Sequence, residues 1–373
     1  MPEIDTHLGA LRARRGLSAI QLAAAAGVSR QTIYAMEAGT YVPNTAVALR
    51  LAHALNATVE EIFALPAADA EPALRSERAI LLPGSPALQS GQPVELCQVD
   101  QRLIASAPSP VPWYFPATDA VVDDQPAPKG KTAVRVFGAE EDYAHRILIA
   151  GCDPGISVLS RHALAAGTEL VLAHRNSSQA LALLKEGAVH IAGTHLRDEA
   201  SGESNLPAVA RLFPKNSVAV ISFAVWEEGI LTARNNPKNI RGIEDLARED
   251  VVIVNRELGA GSRALLDWRL QKLGIDGAQI NGYETTAPGH LPAAWQVQSG
   301  AADCCLATRA AARIFGLSFI PLITERYDLV VRRRHLDLPR MQNLLETLGR
   351  SRFRRELEGL GGYDTKVAGD RLL

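Results

Sequence analysis

The sequence predicts a multidomain chain: an all-α N-terminal domain and a two-lobed α/β domain, joined by a small β-rich connector. Three observations carry this. The chain has 373 residues, more than a single domain of ordinary size uses. Up to about residue 63 its apolar positions recur only at helical spacing, whereas from residue 146 onward β-like apolar runs alternate with helical ones. Between these regions lie proline-bounded segments that suit neither pattern.

Composition narrows the function classes. Lys and Arg total 39 against 41 Asp and Glu, a net charge of -2, which excludes a polybasic coat that binds nucleic acid by charge alone. Hydrophobic residues are 47% of the chain, enough to bury a core in each domain. The longest apolar stretches, such as 217–226, fall short of the roughly 18 residues a membrane helix needs. The start carries Glu3 and Asp5 where an export signal would be basic. Cys97, Cys152, Cys304 and Cys305 form no C-x-x-C pair, the pattern of reduced thiols. A cytoplasmic protein without a membrane segment is expected.

In the N-terminal region, Leu8 and Leu11, Leu22 and Ala26, Ile33 and Met36, Val47, Leu51 and Leu55, and Ile62 and Phe63 mark five short helices. Ser18, Ser29 and Thr58 are placed to cap helices, and Gly27 and Gly39 to end them. Only Gly27-Val28-Ser29 separates the second helix from the third, a spacing that builds a helix-turn-helix. From Thr6 to Met36 there are four arginines (Arg12, Arg14, Arg15, Arg30) and no acidic residue. The third helix presents Arg30, Gln31 and Thr32 in its first turn with Tyr34 behind them, side chains able to bond base edges. Arg30 and Gln31 are expected to read sequence, and Arg12, Arg14 or Arg15 to attract phosphates.

The run Leu17-Ser18 through Leu22-Ala23, then Gly27-Val28-Ser29-Arg30-Gln31-Thr32-Ile33-Tyr34, Glu37-Ala38-Gly39 and Pro43, resembles the Cro/repressor-type (XRE family) helix-turn-helix over about residues 5 to 64. The resemblance implies a DNA-binding domain at 1–66 that docks on a double-stranded operator, as a homodimer on an inverted repeat. Arg12, Arg15, Gln21, Ser29, Arg30, Gln31, Thr32 and Tyr34 are its candidate contacts. Where the family has an early Gln in the second helix this chain has Ala19, and Gln21 offers the backbone contact instead.

Pro66-Ala67-Ala68-Asp69-Ala70-Glu71-Pro72 reads as a linker. It opens a connector at 67–140 with short β-like runs at 79–82, 94–99, 103–105 and 132–137. The aromatic cluster Trp113-Tyr114-Phe115 is read as packing, and no chemistry is assigned to the connector.

The C-terminal domain, 141–373, shows strands at 147–150, 169–173 and 189–192 with helices at 158–166 and 178–185. A second set follows, with strands at 251–255, 279–283 and 302–307 and helices at 262–273 and 293–298. Ligands gather at the carboxyl ends of such strands. The loops there are Gly151-Cys152-Asp153-Pro154-Gly155, Asn176-Ser177-Ser178 and Gly259-Ala260-Gly261-Ser262-Arg263. Each opens a helix, whose unpaired N–H groups make an anion seat. No lysine lies in the three loops, so Arg263 is expected to supply the balancing charge, its alternative being an i,i+4 pair with Asp267.

Gly187 to Asp198, Gly202-Glu203-Ser204-Asn205-Leu206-Pro207, Gly229-Ile230 to Asn236-Pro237, Asn255-Arg256 with the glycine loop, and Glu325-Arg326-Tyr327-Asp328-Leu329 together resemble the periplasmic-binding-protein-like (type II) ligand domain found fused to helix-turn-helix regulators. The resemblance covers about 145–335, and its nearest relatives look like the molybdate- and tungstate-binding class. It implies a ligand-responsive regulator, not an enzyme, with no metal or cofactor and an oxyanion effector such as molybdate or tungstate. Asp153, Ser177, Ser178, His195, Gly261, Ser262, Arg263 and Thr308 are the candidate ligand residues. Two alternatives stand beside it: a small organic metabolite as ligand, and an enzyme with Cys152 as nucleophile, His195 as base and Asp198 as orienter. Cys304 and Cys305 read as buried packing. The segment 332–355 holds eight arginines, yet its stripe Leu338, Met341, Leu344, Leu345 and Leu348 reads as a docked amphipathic helix.

Overall fold

The computed structural model describes residues 5–64, 75–85, 88–107, 118–124, 131–198 and 201–373. The linker at 66–72 and the Trp113-Tyr114-Phe115 cluster lie outside the described residues. The chain divides into two compact units, Met1–Ala73 and Leu74–Leu373.

The first unit contains the five expected helices: Leu8–Arg14, Ala19–Ala26, Arg30–Glu37, Thr45–Leu55 and Val59–Ile62. Their ends follow from side-chain chemistry. The Ser18 hydroxyl accepts from the Gln21 N–H, that of Ser29 from Thr32, and that of Thr58 from Glu61, filling donors that a helix start leaves open. Gly27 closes the second helix at φ 70, a left-handed conformation a side chain would strain. Leu8, Leu22, Ile33, Met36, Leu51, Leu55 and Ile62 make the core.

In the second unit, strands Arg75–Leu81, Pro93–Val99, Arg102–Ser106, Ala120–Val122 and Lys131–Val136 close into a barrel, so the expected β-rich module is present. It shares a core with the α/β region. Leu82, Cys97, Val99 and Ile104 are at most 1% exposed and pack with Leu148, Ala150, Val171 and Val330. Arg146 ties the seam, donating to Asp119 at 2.5 Å. Burial of each such side chain stabilises by about 1.5–3 kcal/mol, and whole domains are stable by only about 5–15 kcal/mol. A fragment covering 141–373 is therefore expected to aggregate or melt without a cooperative transition, while one covering 75–373 melts cooperatively. Coincident calorimetric melts for the two fragments would refute the shared core.

The α/β region is built on a nine-stranded sheet. On one side run parallel strands Leu170–His174, Ile147–Gly151 and Ile191–Thr194. On the other run parallel strands Cys304–Thr308, Ile253–Arg256 and Thr286–Ala287. Two 15-residue antiparallel strands, Val218–Thr232 and Ser318–Arg332, join them. The first half of one and the second half of the other serve the first lobe, and the remaining halves serve the second. Ligand loops of both lobes thus converge on the middle of these strands.

The strand expected at 279–283 is absent. Asp276 caps a short turn at Gly277–Gln279, and Gly282 takes φ +84 against the Ile253 carbonyl, so the extended segment begins later, at Thr286. The expected amphipathic helix is Pro339–Leu348, which buries Met341, Leu344 and Leu348. Helix Ser177–Glu186 begins at the cleft. Its last carbonyls are taken by arginines: Arg332 donates to Leu184 and Lys185, and Arg102 of the barrel to Glu186 and Gly187.

Candidate functional site

The third helix, Arg30–Glu37, lays Ile33 and Met36 into the core and leaves Arg30, Gln31 and Tyr34 exposed. The Arg30 guanidinium lies 5.3 Å from the Tyr34 ring centroid and donates to its hydroxyl at 3.1 Å, which orients it along the helix surface. Ser29 and Thr32 share a 2.8 Å hydroxyl contact at the cap. Two of the expected contact residues are also engaged within the domain. Arg12 is held by Glu37 at 2.6 and 3.1 Å and by the Leu17 carbonyl, so it staples the first helix to the third instead of presenting a free charge. Gln21 accepts from the Ser18 N–H at 2.9 Å and completes a capping box. Arg15 donates to the Asn56 carbonyl at 3.1 Å while remaining exposed, and Arg14 is exposed. Gln31→Ala is expected to cost about 1–3 kcal/mol at one operator position and little at others. An unchanged operator preference in gel-shift competition would move the reading helix elsewhere.

The cleft of the second unit gathers polar side chains at its floor. His195 follows strand Ile191–Thr194 and is 1% exposed; its Nδ1 lies 2.9 Å from Glu325 Oε2 and 3.9 Å from Glu228 Oε2. Its N–H donates to the Ser177 hydroxyl at 3.1 Å. Burial opposes the imidazolium, but Cys152 and Glu325 beside it outweigh that and raise its pKa. Glu228 is fully buried, and burial, reinforced by Glu325, pushes its carboxyl pKa up, which favours the protonated form. Burial also raises Asp153 to about 6, against hydrogen bonds from the Tyr363 hydroxyl and Gly155 N–H, both 2.6 Å.

Across the cleft, Arg256 ends strand Ile253–Arg256 and is 1% exposed. Its Nε donates to Glu257 at 3.1 Å, while its Nη1 is buried without a hydrogen-bond partner. Trp226 Nε1 and both His290 ring nitrogens are likewise buried without partners. Such buried polar atoms cost free energy unless a hydrogen-bond partner meets them. Close approach is built in. A Cβ on Gly261 would stand 2.5 Å from the His195 carbonyl oxygen, and Asn176 donates to the Leu258 carbonyl at 3.1 Å from the opposite lobe.

Comparison with known families now decides the assignment. A PBP superfamily domain matches residues 160–349, and a helix-turn-helix domain matches residues 6–65. The chain belongs to the PBP superfamily. This PBP-superfamily chain is 35% identical over 250 residues to the uncharacterized protein YvgK of Bacillus subtilis, covering 67% of this chain and 80% of that one. It is 44% identical over 53 residues to the uncharacterized HTH-type transcriptional regulator YgzD of the same organism, covering 14% of this chain and 80% of that one. Among solved structures, the sulfate-binding protein SubI of Mycobacterium tuberculosis aligns with TM-score 0.45 at 18% identity, covering 60% of this chain and 89% of that one. The protein is thus a DNA-binding helix-turn-helix regulator with a PBP-like ligand-binding domain. Among the described residues no helix is long and apolar enough to cross a membrane.

Of the ligand residues expected in this PBP-superfamily domain, the structure brings Asp153, Ser177, His195, Gly261 and Ser262 to the cleft floor, with Ser262 beside Glu228. Thr308 is opposite Glu228 in the sheet, but its hydroxyl caps helix Arg309–Phe315. Ser178 is exposed and reaches the other lobe only through its backbone, N–H to the Gly259 carbonyl at 3.4 Å. Arg263 is corrected. It pairs with Asp267 at 3.0 Å and stacks on Tyr283 at 4.1 Å, so the i,i+4 alternative holds and its charge is spent outside the site. Asp198 is bound to Arg211 at 2.7 Å, and Glu325, not Asp198, orients His195. Cys304 and Cys305 are buried strand residues, as expected.

Arg256, Glu228, Glu325, Trp226 and His290 were missed. A signal existed for Glu228, an acidic residue beside Glu227 in the middle of an otherwise largely apolar 15-residue strand, an arrangement that burial alone disfavours.

Proposed function

We propose that the cleft binds a small anion and that its closure modulates operator binding by a homodimer, the protein acting as a sensor and not as an enzyme. The observation carrying this reading is the buried Arg256 Nη1 without a partner. Trp226 Nε1 supports it with a second unfilled donor, and the start of helix Gly261–Leu273 adds N–H groups and a partial positive charge. Burial of Glu228 disfavours its ionised form, which lessens repulsion of an anion. Molybdate and tungstate are the first candidates, since Ser177 and Ser178 resemble the serine loop of that class, although Cys152-Asp153-Pro154 stands where that class presents serine. Coupling of about 1–3 kcal/mol between cleft and operator suffices to switch occupancy.

Calorimetric titration of the full chain with molybdate, tungstate, sulfate and phosphate tests this, followed by gel shifts on operator DNA with and without the ion that binds. Tight binding of one oxyanion with changed operator affinity is expected. Binding of none of them would move the effector to an organic metabolite oriented by Asp153.

A further inference from the structure

Cys152 and His195 come from adjacent parallel strands of the first lobe, just past the ends of Ile147–Gly151 and Ile191–Thr194. His290 opens helix His290–Gln298 of the second lobe. All three are buried, and one potential ligand atom from each lies within 4.8 Å of the other two. Bonds of about 2.0–2.3 Å place the ligand atoms of a tetrahedral ion about 3.3–3.8 Å apart, inside that limit.

We propose that Cys152, His195 and His290 form a binding site for a thiophilic transition-metal cation of the Zn(II) class that bridges the two lobes. One thiol and two imidazoles are the soft and borderline donors that select such ions over Mg(II) or Ca(II). His290 is fully buried with neither ring nitrogen hydrogen-bonded, so its ring has no protein partner that a cation would have to displace. Glu325 holds His195 Nδ1 at 2.9 Å, leaving Nε2 as the ligating atom, the carboxylate–imidazole pairing that orients metal-bound histidines. On coordination the Cys152 thiol releases its proton to solvent and the thiolate binds the cation.

This inference goes beyond the anion reading and does not depend on it. Three protein ligands leave a tetrahedral ion one position open, so cation and anion can share the cleft.

The reduced full-length chain, stripped with a chelator, is titrated with Co(II) followed by absorption, and with Zn(II) in competition. One equivalent of Co(II) giving a thiolate-to-metal charge-transfer band is expected. Cys152→Ser should abolish the band and weaken Zn(II) binding by more than about a hundredfold, His290→Ala should weaken it comparably, and Glu325→Gln by roughly ten- to a hundredfold. Thermal melts of each variant verify folding. If Cys152→Ser unfolds, His290→Gln with the band followed in the same way is the deciding variant. No uptake by the folded wild type overturns the proposal, as does uptake without the band that survives Cys152→Ser, which would place the ion on Glu228 and Glu325 instead. Oxyanion titration of the stripped protein is read separately, so failure of the cation site and failure of the anion reading are distinguishable.

Discussion

Arg256→Met is expected to lower oxyanion affinity by more than about a hundredfold. Hydrogen bonds to a charged group contribute about 1.5–3 kcal/mol each, and the guanidinium fork of Arg256 is the buried cation whose Nη1 is unfilled. Ser177→Ala should cost only several-fold, because a neutral hydroxyl contributes about 1 kcal/mol and the Ser177 hydroxyl already accepts from the His195 N–H. Methionine keeps much of the volume, yet the substitution is also destabilising. It leaves the partly exposed Glu257 without its guanidinium, a smaller cost than breaking a fully buried pair. Arg256→Lys retains the charge and loses the fork, so it should fall between wild type and Arg256→Met. Calorimetry on variants whose melts confirm a folded state is the measurement. Unchanged oxyanion affinity in folded Arg256→Met would remove this residue from the site.

Gly261→Ala is expected to weaken every ligand of the cleft by roughly five- to 150-fold while leaving the fold intact. The added Cβ would lie 2.5 Å from the carbonyl oxygen and Cε1 of His195 and 2.6 Å from its Nδ1, closer than real side chains pack. His195 cannot give way, being held by Glu325 at one end and by the Ser177 hydroxyl at its N–H. The relief available is for the lobes to part, and a closure penalty of about 1–3 kcal/mol divides apparent affinity by that factor. Small-angle scattering should show the variant more extended than wild type under saturating ligand, with the melting temperature lowered by only a few degrees. Wild-type affinity together with wild-type compaction would show that the lobes do not need this approach.

The helix-turn-helix was legible because its determinants are local: Ser18, Ser29 and Thr58 cap within three residues of themselves, and Gly27 sets the turn. The alternation of strands and helices was legible for the same reason, apolar runs being continuous in sequence. The cleft was legible only in part. Ser177, Gly261 and Ser262 open helices, a pattern visible in sequence, but the choice between Arg256 and Arg263 was not. Both sit beside the same loop and both meet a carboxylate, but Arg263 Nη1 is taken by the Arg256 and Tyr283 carbonyls whereas Arg256 Nη1 is left without a partner. His290 and Cys152 are 138 positions apart in the chain, so no spacing motif could join them. Arg12 misled because its partner, Glu37, is 25 residues away on the third helix.

The serine helix, Ser177–Glu186, has a mechanical consequence. Ten residues at about 1.5 Å each make a strut of roughly 15 Å. One end is pinned against the opposite lobe through Asn176 and Ser178, and the far end is gripped by Arg102 of the barrel and Arg332 of a lobe-joining strand. A helix that short tilts as a rigid rod instead of bending, so any displacement at the cleft reappears as torque on the barrel.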